Sequence, residues 1–190
     1  MTSETGADAE AQTEMTSSFN LLLEREIPKL RRYAHALARG GIRADDLVQD
    51  CLVRALEKQH LFRRGSNLRA WLFTILHNTS VNQVRRAVRE GTVVDVEEAV
   101  AAPALVQSAR QGDRVKLHDL HRALGRLPEE QRQVLLLVSL EGLPYDRAAE
   151  VLDVPTGTVR SRLSRARSAL RRLMDGGDAR PKAAAAVVAA

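Results

Sequence analysis

Apolar residues recur at helical spacing through most of the chain, interrupted by glycines, prolines and short polar runs. Leu30, Tyr33, Ala34 and Leu37 share one helical face. This patterning begins near Phe19, Pro28 suits a first helical turn, and Gly40-Gly41 ends the element. Leu47, Val48, Cys51, Leu52, Ala55 and Leu56 then form one stripe and predict a helix over about 44–59. Its opposite face carries Asp46, Gln49, Asp50, Val53, Arg54 and Glu57. Asp45 and Asp46 lie at the positive end of its macrodipole. Ser66 or Asn67 can cap a third helix over about 68–89. Trp71, Leu72, Ile75, Leu76, Thr79 and Val84 supply its apolar side, and Trp71 on that stripe reads as core. Asn78, Asn82, Arg85, Arg86 and Arg89 form a polar stripe.

Residues 90–112 lose the pattern and read as a linker with Gly91, Pro103 and Gly112. Helical spacing resumes at Asp113 with Val115, Leu117, Leu120, Leu124 and Leu127. Leu127-Pro128-Glu129-Glu130 is a helix start, with proline first and acids in the opening turn. Residues 133–140 are almost wholly apolar, which predicts a buried helix ended by Gly142. Pro144 opens a short helix through Leu152, residues 153–157 form a turn, and a last helix covers about 158–174. Residues 1–17 are expected to be a disordered tail, as is the segment 176–190 after Gly176-Gly177. The expected fold is all-α: two small helical domains, within 18–89 and 113–175, joined by a flexible linker. The nearest approach to strand patterning, at 91–96, is short and isolated.

Composition agrees with helices. Hydrophobic residues make up 44% of 190, but aromatics only 3%, so the core must rest on Leu, Val and Ala. The formal charge of +5 understates the basic character of the body. Glu4, Asp8, Glu10 and Glu14 occupy the first seventeen residues without a base, and without them the charge is +9. A positive body suits a polyanionic partner, although many proteins without one carry such a charge. Cys51 is the only cysteine, so neither an internal disulfide nor a cysteine metal site can form. His118 and His121 stand at i, i+3 spacing, but no third ligand follows, and no metal or other cofactor is expected. No nucleophile–base pair or phosphate loop points to an enzyme, and no small-molecule substrate is implied. The acidic start lacks a signal peptide's apolar run, and no stretch could span a membrane. A cytoplasmic protein is expected.

Two short helices across a tight turn, the second strongly basic, are the pattern of a helix-turn-helix. Here they are about 144–152 and 158–174. Ala148, Ala149 and Leu152 allow close crossing, and Val159, Leu163, Ala166, Leu170 and Leu173 face inward. Arg160, Ser161, Ser164 and Arg165 point away from that core. An arginine at a recognition helix can donate two hydrogen bonds to a guanine edge, worth roughly 1–3 kcal/mol of discrimination. Arg162, Arg167 and Arg171 are placed for phosphates, which set register. The bland alternative is a solvated basic face. Six arginines between 160 and 172 with no acid among them weigh against it.

Residues 127–173 (LPEEQRQVLLLVSLEGLPYDRAAEVLDVPTGTVRSRLSRARSALRRL) resemble region 4 of extracytoplasmic-function sigma factors of bacterial RNA polymerase. Residues 45–58 (DDLVQDCLVRALEK) resemble their region 2.2, and 67–86 (NLRAWLFTILHNTSVNQVRR) their regions 2.3 and 2.4. The resemblance implies a subunit that binds core polymerase and directs it to promoters. It implies docking of Asp46, Gln49, Asp50 and Glu57 on the β′ clamp helices, and of region 4 on the β flap. It implies that Ser66, Asn67, Asn78 and Asn82 engage the −10 element, largely as single strand, with Arg85 and Arg86 near phosphates. Ordinary exposed polar residues are the alternative for Asn78 and Asn82. Arg160, Ser161, Ser164 and Arg165 then map to −35 recognition, and an anti-sigma factor is an expected partner. One departure stands out: Arg147 occupies a position usually acidic in the family, after Tyr145-Asp146. The competing reading is a helix-turn-helix regulator that never acts as a sigma subunit. Such a protein has no reason to carry the segments at 45–58 and 67–86.

Overall fold

A computed structural model describes the backbone of residues 4–37, 44–63, 65–90 and 111–175, with side chains from residue 18 onward except at 64, 87, 111–116 and 118. Every regular element among the described residues is helical. The linker expected at 90–112, apart from its ends, lies outside them, as do the strand-like run at 91–96 and the tail at 176–190.

The first helix, α1, spans Glu4–Leu37 with Pro28 inside it. This corrects two expectations. The segment read as a disordered tail is helical from Glu4, where Ala, Glu, Gln and Met are good helix formers. Pro28 does not open a helix but interrupts one. An interior proline removes one backbone bond and crowds the preceding turn, at a cost of roughly 3 kcal/mol or more. Burial of Phe19, Leu23, Leu30, Tyr33 and Leu37 on either side of it offsets that cost, at roughly 1.5–3 kcal/mol per large apolar side chain.

Helix α2 spans Ala44–Glu57, and a single 3-10 turn follows at Gln59–Leu61. Helix α3 spans Leu68–Arg89, as the pattern predicts. Its start is set by Asn67, whose Oδ1 accepts a hydrogen bond from the Ala70 amide at 3.0 Å. Helices α1, α2 and α3 pack together over Tyr33, Leu47, Val48, Cys51, Leu72, Phe73 and Leu76. The Cys51 thiol donates to the Leu72 carbonyl at 3.6 Å, and burial pushes its pKa up to about 12. Trp71 packs against the core, partly buried: it stacks obliquely with Phe62 (5.4 Å between centroids) and meets Phe19 edge-on (6.3 Å). Leu56 and Val84 were placed on apolar faces but are exposed. Both lie toward the C-terminal ends of their helices, and no α3 residue beyond Ser80 whose side chain is described is buried.

The second half contains α4 (Gln111–Arg126), α5 (Glu129–Leu135), α6 (Tyr145–Leu152) and α7 (Thr156–Met174). Val159, Leu163 and Ala166 of α7 are buried, with Leu170 and Leu173 packed at the edge, as predicted. The turn before α7 is shorter than predicted. Asp153 takes the left-handed conformation (φ 51°), and the Val154 amide donates to the Ala149 carbonyl at 3.1 Å. The amides of Thr158 and Val159 both donate to the Pro155 carbonyl, so Thr156 and Gly157 already belong to the helix.

Helix α5 runs on as a π-helical turn over Leu136–Leu140, closed by the Glu141 amide donating to Leu136 O at 3.0 Å. Gly142 (φ +68°) stops it, and the Leu143 amide reaches back to Leu137 O. The segment expected to be apolar is indeed buried through Leu137, but Arg132 and Gln133 are buried with it.

The two halves dock on each other. Helix α3 packs against α6, the π turn packs against α1, and buried residues of both halves merge into one cluster. At the seam Arg32 of α1 grips Glu141 through two hydrogen bonds, Nε to Oε1 and Nη2 to Oε2, each 2.8 Å. The Glu141 side chain is 0% exposed and the Arg32 side chain 40%. The Glu141 carboxylate raises the Arg32 pKa, chiefly through these hydrogen bonds.

Candidate nucleic-acid interface

Helix α7 presents its arginines from a rigid base. Val159, Leu163 and Ala166 fix one side in the core, which leaves Arg160, Ser164, Arg165, Arg167 and Arg171 exposed. Arg160 lies 6.0 Å from the centre of the Tyr145 ring, a cation–π arrangement. Tyr145, Arg160, Ser164, Arg167 and Arg171 line a shallow open cleft of about 300 Å³. The helix face therefore joins a polar rim to concentrated positive charge.

Three members of the predicted set make contacts within the protein. Arg162 pairs with Glu130 at 2.7 Å, so a phosphate contact there requires that pair to give way. Ser161 is partly buried and donates its hydroxyl to the Thr158 carbonyl at 3.1 Å. Arg167 Nη2 donates to Ser139 Oγ at 3.3 Å, a contact weak enough to exchange. Arg147, in its unusual position, pairs with Glu150 at 2.8 Å and lies near Asp146, which keeps the charge within α6.

The N-terminal half offers a different surface. Gly65 (φ +83°) turns the backbone ahead of α3, in a conformation that disfavours residues with a Cβ. Ser66 Oγ donates to Arg63 O at 2.6 Å. Asn67 spends its carbonyl oxygen on the helix cap, so its amide NH₂ is the group left for a ligand. Asn78 and Asn82 are exposed one turn apart on α3, with Arg85 and Arg86 beyond them. Arg86 also pairs with Glu90 at 2.6 Å. The loop opens on a cavity of about 720 Å³, walled by Ser66, Asn67 and Arg69, by Leu22 and Arg25 of α1, and by Gly142, Leu143 and Pro144 from the other half. Glu26 holds Arg69 there at 3.0 Å and Lys29 at 2.8 Å.

Asp46, Gln49, Asp50 and Glu57 are all exposed along α2. Gln83 of α3 donates to Asp50 at 3.0 Å. Val53 (49% exposed) and Leu56 (42%) of the same helix are exposed, as is Leu61 (60%) in the 3-10 turn that follows. Exposed apolar residues interleaved with acids suit a protein partner better than DNA.

Known proteins match both halves. The family described as "Sigma-70, region 4" matches residues 117–170, and the "Sigma2 domain of PhyR" matches 23–77. The ECF RNA polymerase sigma factor EcfG of Rhodopseudomonas palustris is 40% identical over 148 residues, covering 78% of this chain and 80% of that protein. The chain is an extracytoplasmic-function sigma factor. SigM of Mycobacterium tuberculosis, of the same family, is 33% identical over 159 residues, 83% of this chain and 77% of its own. Among solved structures, the sigma factor RpoE of Bartonella quintana, in complex with the anti-sigma factor NepR, aligns with a TM-score of 0.74. It shares 37% identity, over 83% of this chain and 97% of that one.

The sigma family is regulatory rather than catalytic, and the separate regulator reading falls away. Among the described residues no cluster of His, Cys, Asp and Glu could hold a metal ion, and no helix is long and apolar enough to cross a membrane. Residue patterns missed four residues of these candidate surfaces. Arg25 and Arg69 join the loop cavity only because α1 and α3 pack side by side. Tyr145 reads as an ordinary helix start until its ring is seen beside Arg160. Leu61 becomes prominent only through its exposure in the 3-10 turn.

Proposed function

We propose that this sigma factor divides promoter recognition between its halves and docks on core polymerase through the outer face of α2. Arg160, Ser164 and Arg165 read base edges of the −35 element in the major groove, with Ser161 beside them at the protein surface. Arg167 and Arg171 hold phosphates, and Arg162 joins them once released from Glu130. Ser66, Asn67, Asn78 and Asn82 hold the −10 element as single strand, with Arg85 and Arg86 on its phosphates. A base held outside the stack keeps the duplex open when its binding exceeds an unstacking cost of about a few kcal/mol. Asp46, Gln49, Asp50 and Glu57 engage the β′ clamp helices, with Val53 and Leu56 supplying apolar contact. The second half meets the β flap. An anti-sigma factor covers these surfaces when transcription is off, and the protein works in the cytoplasm with the polymerase.

The observation that carries this reading is the separation of surfaces. The basic face of α7, the amide-bearing face of α3 and the acidic–apolar face of α2 are distinct, and each suits one partner. Run-off transcription with purified core polymerase and genomic fragments tests it. Specific transcripts are expected only when the protein is added. Retardation of promoter DNA without any initiation would sink the reading.

A further inference from the structure

The arginines of α7 are not equivalent. Arg160, Ser164, Arg167 and Arg171 follow one another at helical spacing and line the open cleft beside Tyr145. Arg162 lies on the other flank of the helix, about 160° around its axis from both Arg160 and Ser164, with Arg165 between the two flanks. Its surroundings differ as well. Its side chain is only 21% exposed, and Nη2 sits 2.7 Å from Oε2 of Glu130, in the first turn of α5. No other α7 arginine is ion-paired among the described residues. A carboxylate and a DNA phosphate offer a guanidinium the same anionic oxygens. Glu130 therefore occupies the place that a phosphate would take on Arg162.

We propose, resting on the reading of α7 above, that Glu130 is an internal competitor for the DNA phosphate contacted by Arg162. The contact is built to be exchanged. Helices α5 and α7 are already held by apolar packing, with Val134 and Leu135 on one side and Val159 and Leu163 on the other, so the pair is not needed to join them. The Glu130 side chain is 67% exposed. Its release returns it to water and leaves no buried charge behind. A pair this open on its acidic side shifts an equilibrium by no more than about fivefold. A phosphate can displace it, yet each duplex bound must meet that cost. Phosphate contacts position a protein without reading sequence. Glu130 thus sets how tightly α7 holds any duplex and leaves the choice of bases to Arg160, Ser164 and Arg165. With Arg162 unrestrained, the helix would cling more strongly to unrelated DNA.

The test uses holoenzyme reconstituted from core polymerase and the full chain. It is titrated across a salt series with two fluorescent duplexes of equal length: a promoter fragment recovered by run-off transcription and an unrelated sequence. Glu130→Gln should tighten both about two- to fivefold and leave their ratio unchanged. Arg162→Gln should weaken both and make the plot of log affinity against log salt shallower by about 0.9, the value for one phosphate. The double variant should bind like Arg162→Gln, because Glu130 then has nothing to withhold. Thermal unfolding monitors folding. Glu130 is exposed, so the sign of its effect decides even where Arg162→Gln fails to fold. Unchanged or weaker binding in Glu130→Gln would make the pair a structural brace and overturn the proposal. So would a gain that survives in the double variant, since it would trace to the removal of negative charge alone. If Arg160→Ala and Arg165→Ala leave promoter affinity unchanged, the reading of α7 as the −35 helix fails instead, whatever Glu130 does.

Discussion

The two surfaces proposed to face the promoter rest on different supports. In the C-terminal half a single helix carries the arginines, with three buried residues one or two turns apart behind them. Few of its exposed groups are spoken for, apart from Arg162, Ser161 and the weak Arg167 contact. In the N-terminal half the candidate groups straddle a loop and a helix, and the loop's side chains already do structural work. Asn67 caps α3, and Ser66 closes a turn. Duplex DNA offers a regular groove that one straight helix can enter. A single strand must be surrounded, which takes a cavity assembled from several segments. The difference explains why charge marks one surface and shape the other.

The comparison breaks first at the core. Leu76→Ala and Leu163→Ala each remove a buried side chain, at an expected cost of about 2–5 kcal/mol in urea denaturation. Because both halves share one buried cluster, either variant should lower the whole transition. Two separate transitions in the wild type would show that the halves unfold independently.

Next come the readers themselves. Arg160→Ala and Arg165→Ala should each weaken promoter binding by roughly 1–3 kcal/mol while core binding stays normal. Asp50→Arg should reverse the pattern, with core affinity lost and DNA contacts kept. Loss of core binding in the arginine variants, measured by fluorescence anisotropy, would contradict the division of labour.

A smaller effect concerns acidity. Burial holds the His77 imidazole below the usual histidine range, with nearby Glu129 opposing the shift. The unfolded chain therefore takes up its proton first, near pH 6.5. His77 contributes no loss above that range, and stability falls as pH drops through it. Denaturation at pH 7.5 and 5.5 should show this loss, and His77→Gln should shrink it. The smallest expected effect is at the α6–α7 turn. Asp153 holds a left-handed conformation that glycine adopts without strain. Asp153→Gly should raise stability by a few tenths of a kcal/mol, read as an upward shift in Tm.

Much of the molecule was legible from residue order. Helix α3 could be bounded because its cap, Asn67, sits directly before the first turn. The inward face of α7 followed from Val159, Leu163 and Ala166 at helical spacing. Pro28 misled because proline is equally at home in a first turn, and only the burial on both sides of it keeps α1 continuous. Leu56 and Val84 misled because periodicity shows which way a residue faces, not whether a neighbour covers it.

The sequence by itself determined the helices, the basic character of α7 and the membership of the chain in the sigma family. These depend on local spacing and on residue types, which a linear string displays. Only the tertiary structure decided that the halves dock, that a cavity joins the 65–69 loop to 142–144, and that Glu141 is buried against Arg32. In sequence that pair looks like two ordinary surface charges, 109 positions apart. Its meaning comes from desolvation, which depends on everything packed around the pair and on nothing adjacent to it in the chain.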